Sequence, residues 1–216
     1  MNSEALKVGF VIFPKFTGMD LIGPHEILVR ANTDCYIISK TTAPVESNGG
    51  LKILPDVSFS SCPNLDILVV PGGPGQTPAM EDNELIDFIA KKSAQSNWTA
   101  GVCTGVLLLA KAGAIKGKSA TTHWLAMEEL KYLGSHPVSE RVVWDGKIVT
   151  GAGVSSGIDL ALDLVVKIFG KEEAQRIQLA IEYDPKPPFD MGNPVKAPTH
   201  IVEKLRKNSR FNRHRN

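Results

Sequence analysis

Residues 98–112 read Trp98-Thr99-Ala100-Gly101-Val102-Cys103-Thr104-Gly105-Val106-Leu107-Leu108-Leu109-Ala110-Lys111-Ala112, and this stretch decides the fold. Residues 98–102 read as a short buried strand, and residues 105–112 read as a buried helix. Only Cys103-Thr104 lies between them, within the turn Gly101-Val102-Cys103-Thr104-Gly105. Two glycines flanking one reactive residue are what a sharp strand-to-helix elbow needs, because the backbone passes closely on both sides. Working outward, the alternation recurs. Residues 6–12, 35–39 and 67–70 read as strands, and residues 21–31, 83–94, 156–169 and 171–182 as helices, with a last short helix over 198–206. Apolar strands separated by helices predict a parallel sheet covered on both faces. Asp145-Gly146 between residues 142–144 and 147–150 signals a hairpin, and Asn48-Gly49 within residues 47–54 gives a similar signal. The expected fold class is therefore α/β: a mostly parallel, flavodoxin-like three-layer sandwich with antiparallel hairpin additions.

The 216 residues fit one domain, with a core over about residues 6–198 and a basic tail over 204–216. Lys plus Arg is 24 and Asp plus Glu is 23, so the net charge is +1 and the field expected of a nucleic-acid binder is missing. The tail, with Lys204, Arg206, Lys207, Arg210, Arg213 and Arg215, reads as a frayed, solvated terminus. Three cysteines without scaffold-like spacing argue for a reducing compartment. No segment resembles a signal peptide, and none approaches the ~20 apolar residues of a spanning helix. A cytoplasmic protein with no membrane partner is expected. Residues 183–198 hold five of the 14 prolines and read as a loop.

The candidate chemistry gathers at the elbow. A helix N-terminus carries partial positive charge, so Cys103 is expected to have a lowered pKa and to act as a nucleophile. Cys35 reads as core and Cys62 as a loop residue. The glycine-rich turn Pro71-Gly72-Gly73-Pro74-Gly75 follows a neighbouring strand, so it should converge on the same sheet edge and can aim backbone N–H groups there. Asp20, ahead of an apolar helical stretch, fits a helix N-cap when read alone. Gly151-Ala152-Gly153-Val154-Ser155-Ser156-Gly157 departs from the dinucleotide fingerprint and reads as close helix–sheet packing. No His and Cys spacing supports a metal, and no cofactor is implied.

Val70-Pro71-Gly72-Gly73, the Cys103 elbow and Thr121-Thr122-His123 together resemble the PfpI/ThiJ superfamily of the class I glutamine amidotransferase-like fold. Gly18-Met19-Asp20-Leu21-Ile22-Gly23-Pro24-His25-Glu26, Ala120-Thr121-Thr122-His123-Trp124, Gly157-Ile158-Asp159 and residues 181–190 (IEYDPKPPFD) further resemble bacterial isonitrile hydratases. The resemblance runs from about Lys7 to Pro198. It implies Cys103 as nucleophile, Asp20 as the carboxyl beside it, and Thr104 as a third essential residue. It also implies Gly72, Gly73, His123 and Trp124 around substrate or an oxyanion, and a homodimer. A thiol and a carboxyl side by side cannot both ionise easily, so Asp20 is expected to hold a proton and to act as general acid. Water would then be added to an isonitrile to give an N-substituted formamide through a thioimidate. Other superfamily chemistries, such as glyoxal processing or amide hydrolysis, and a cysteine redox sensor or ligand-binding regulator are the alternatives.

Overall fold

In a computed structural model, residues 4–212 are described, and they build a three-layer α/β sandwich. The central sheet uses seven strands: β1 (Leu6–Val11), β2 (Thr33–Ser39), β5 (Val57–Ser58), β6 (Ile67–Val70), β7 (Trp98–Val102), β10 (Val142–Asp145) and β11 (Ile148–Gly151), in the order β10-β11-β7-β6-β1-β2-β5. All neighbours are parallel except β10 and β11, which form the Asp-Gly hairpin with Trp144 opposite Val149. The Asn-Gly segment behaves differently. It joins β3 (Val45–Glu46) to β4 (Lys52–Ile53) in a separate two-stranded sheet, so it is not an addition to the central one. A third small sheet pairs β8 (Ser119–Ala120) with β9 (His136–Pro137).

Every residue of β6 and β11 is buried, which explains why these strands read as unbroken apolar runs rather than alternating ones. The helices α1 (Gly18–Leu28), α6 (Ser156–Phe169) and α7 (Lys171–Ala180) pack together. A second group holds α2 (Gln76–Ala79), α3 (Asn83–Gln95), α4 (Gly105–Lys111) and α5 (Met127–Tyr132). Helix α4 is buried from Gly105 to Ala110, so it is apolar all round. Helix α8 (Thr199–Lys207) follows the proline-rich loop. No described helix is long and apolar enough to cross a membrane.

Helix α1 starts three residues before the expected position and ends three before it. Its N-cap is Thr17, so Asp20 is not a cap but a first-turn residue. Pro24 sits inside this helix and removes the N–H that would bond the Asp20 carbonyl. Gly157, in the first turn of α6, packs against both α1 and the sheet: an added Cβ would lie 3.0 Å from Pro24 Cδ and 3.4 Å from Val102 Cγ1, so a larger residue would push these neighbours back.

Candidate active site

The elbow forms as the glycines dictate. Cys103 has φ +55°, a left-handed conformation that costs a non-glycine residue roughly 1–3 kcal/mol. Its neighbours hold it there. Cys103 N–H donates to Gly151 O (3.0 Å), which continues the β7–β11 ladder past the strand end. The Thr122 hydroxyl donates to Cys103 O (2.7 Å). Thr121 N–H donates to Thr150 Oγ1 (2.9 Å), which fixes the segment that carries Thr122. On the other side, a Cβ on Gly105 would lie 2.2 Å from Val70 O, so glycine lets α4 begin directly against the end of β6.

Asp20 is fully buried. Its Oδ2 accepts from Gly72 N–H (2.9 Å). Its Oδ1 is buried with no partner that meets hydrogen-bond geometry, and the other polar group acting on the carboxyl is the Cys103 thiol. Burial pushes the Asp20 pKa up to about 7, against the opposing pull of the Gly72 N–H and the thiol. Cys103 is 5% exposed. Burial first, and then the Asp20 charge, hold its thiol well above the ordinary cysteine range. The Thr104 N–H and the Arg210 charge pull the other way and are outweighed. This corrects the expectation of a lowered thiol pKa. The start of a buried seven-residue helix does not offset desolvation, so the resting pair is a thiol beside a carboxyl poised to titrate near neutrality.

Thr104 is buried, and its side chain clamps the glycine-rich turn. Gly73 N–H donates to Thr104 Oγ1 (2.9 Å), and the hydroxyl donates to Gly73 O (3.3 Å). The Gly72 and Gly73 amides are therefore both committed, one to Asp20 and one to Thr104. Gly73 lines the cavity but does not present a free N–H to an oxyanion. That cavity, of about 350 Å³, brings Cys103, Thr104, Gly73 and His123 together with Asn48, Val154, Arg210 and Phe211. His123 Nδ1 accepts from Leu125 N–H (3.3 Å), so Nε2 carries the proton of the neutral ring. Burial and the Arg210 charge lower its pKa and keep it neutral. Trp124 is not brought to Cys103. It lines an adjoining cavity of about 570 Å³ with Met19, Met127 and Asn193, which meets the first at His123 and Val154.

The basic tail departs furthest from expectation. Lys204, Arg206 and Lys207 belong to α8, and Arg206 lies 5.8 Å over the Trp124 ring. Past the helix the chain turns back to the site. Arg210 Nη2 donates to Gly73 O (2.9 Å), with Thr104 Oγ1 at 3.4 Å and Gln76 Oε1 at 3.5 Å. Sequence reasoning missed this residue, whose only signal was its place in a basic run. Arg213 and Arg215 lie outside the described residues. Cys35 and Cys62 are both half-buried. Among the described residues no group of three His, Cys, Asp or Glu side chains is placed to hold a metal ion.

The chain is 44% identical over 204 residues to the isonitrile hydratase of Pseudomonas putida, covering 94% of this chain and 90% of that protein. A ThiJ/PfpI family protein from Pseudomonas syringae superposes with a TM-score of 0.92 at 37% identity, over 94% of this chain and 85% of that one. The DJ-1beta structure of Drosophila melanogaster gives a TM-score of 0.74 at 25% identity, over 82% of this chain and 98% of that one. With the DJ-1/PfpI profile matching residues 6–167, the chain belongs to the DJ-1/PfpI family.

Proposed function

We propose that this protein hydrates isonitriles to N-substituted formamides, with Cys103 as nucleophile and Asp20 as the group that moves the proton. The observation that carries this reading is the buried Asp20 carboxyl, pushed up to about 7 and with Oδ1 unpartnered, beside the Cys103 thiol. The 44% identity to an isonitrile hydratase supports it. An isonitrile carbon accepts both a nucleophile and a proton, and a thiol–carboxylate pair supplies both. Asp20 takes the thiol proton, the sulfur bonds to the isonitrile carbon, and Asp20 returns the proton to that carbon, giving the thioimidate R–N=CH–S–Cys103. Water then adds at the same carbon, the carbon–sulfur bond breaks, and R–NH–CHO leaves with the thiol restored. Thr104 holds the glycine-rich turn and, through Gly72, the orientation of Asp20. A neutral His123 borders the reacting carbon without serving as the base.

A formamide-release assay over alkyl and aryl isonitriles tests the reading. Wild type is expected to turn over, and Cys103→Ala or Asp20→Ala to lose about a thousandfold or more in kcat/KM. No turnover of any isonitrile by wild type overturns it. The pH profile carries the same logic. Thiol with carboxylate and thiolate with carboxylic acid hold the same number of protons, so both forms of the pair depend on one titration. The value of kcat/KM is expected to rise with pH up to about 7, where Asp20 loses its extra proton, and then to level off.

A further inference from the structure

Among the described residues, Arg210 brings the only charged side chain into the cavity that holds Cys103; the other described lining residues are polar or apolar, and none is acidic. The residue as a whole is exposed, but its guanidinium tip is part-buried and oriented. Nη2 is fixed by Gly73 O, Thr104 Oγ1 and Gln76 Oε1. Among the described residues, Nε and Nη1 bond to no protein acceptor and Arg210 pairs with no carboxylate. Nη2 is thus spent on positioning, while Nη1 and Nε each keep a donor on a different side of the plane. An uncompensated guanidinium charge on the cavity wall attracts a small anion, and a carboxylate oxygen can accept from the single free donor at Nη1 or Nε. Phe211, with Arg210 lying 4.7 Å over its ring, walls the same side. Asn48 adds a polar side chain to the lining without opposing the charge.

We propose that Arg210 makes this cavity a subsite for a small carboxylate, so that the preferred substrates carry a carboxylate on the side of the molecule away from the carbon that Cys103 attacks. The identity of the reaction rests on the hydration reading above; the subsite does not. Alkylation of Cys103 separates the two. Iodoacetate and iodoacetamide differ by a carboxylate in place of a neutral amide. In both, the thiolate sulfur displaces iodide and forms an S–CH2 bond, while buffer takes the thiol proton. The rate ratio of the two reagents at Cys103, read by peptide mass and normalised to glutathione, cancels changes in access and in thiol pKa. The ratio is expected to fall roughly three- to tenfold in Arg210→Gln and to be largely kept in Arg210→Lys. An unchanged ratio in Arg210→Gln overturns the subsite, and so does a Cys103 that iodoacetate cannot reach. On substrates, Arg210→Gln is expected to lower kcat/KM for isocyanoacetate roughly three- to tenfold more than for cyclohexyl isocyanide. Equal losses on both overturn the substrate assignment. Absence of any hydration counts against the earlier reading and leaves the alkylation ratio standing.

Discussion

Asp20 is expensive to bury as a carboxylate, and the sign of that cost is testable. Its folded pKa, about 7, lies above the ordinary 3.8. Stability from this group is therefore fully present below pH 3.8 and is lost as pH rises through 7. At about 1.4 kcal/mol per unit, the full span is worth roughly 4 kcal/mol. Asp20→Asn keeps an oxygen for the Gly72 N–H and removes the charge. It is expected to be more stable than wild type at pH 8 by a few kcal/mol and to lose that advantage by pH 4, as read by urea unfolding at both pH values. A pH-independent difference would mean that the carboxylate is not penalised. Cys103 itself was legible in the sequence, because Gly-x-Cys-x-Gly between two apolar runs has few other uses. The direction of its pKa was not. A helix start can be read from residues 103–105, but the burial that outweighs it comes from segments distant in the chain, which fold around the elbow.

The elbow works because β6, β7 and α4 meet with almost no space between their backbones. An added Cβ on Gly105 would overlap the backbone of Val70 and Pro71, with 2.2 Å to Val70 O. Backbone at the end of a buried strand cannot give way. Gly105→Ala is therefore expected to cost about 3 kcal/mol or more and to disorder the site. Gly113 is the control: it has φ +75° and nothing within 4 Å of an added Cβ. Gly113→Ala meets only backbone strain, about 1 kcal/mol, so thermal unfolding should separate the two variants. Comparable losses would refute the argument from close approach. Strands such as β6 and β7 matched their expected bounds because buried parallel strands leave uninterrupted apolar runs. Helix α1 did not. Gly18 and Pro24 are poor helix formers, and its buried face carries Asp20 while the apolar Met19 and Ile22 are exposed, so no apolar stripe marks where it begins.

One continuous core runs from β1 to α7, and from the last described residues it takes only Phe211, packed at its edge. The segment after α8 is thus a wall of the site rather than part of the support of the fold. Nothing in the composition of residues 204–216 marks Arg210 apart from its basic neighbours; its place is set by where the chain returns after α8. Removing residues 208–216 strips Asn208, Ser209, Arg210 and Phe211 from the cavity lining. Two effects on Cys103 then compete. Loss of the Arg210 charge raises the thiol pKa, and loss of burial lowers it. Desolvation is the largest influence on this thiol and Arg210 a minor one, so burial should win. The truncated protein is expected to react with a neutral maleimide at Cys103 about tenfold faster than wild type, by peptide mass. It should still unfold cooperatively, with a loss of no more than about 2 kcal/mol for the half-buried Phe211 contact. Unchanged maleimide reactivity would mean that the segment does not cover the sulfur, and a loss several times larger would make it a structural strap. Unchanged reactivity would also move Arg210 away from the cavity mouth, where its bond to Gly73 requires it to be.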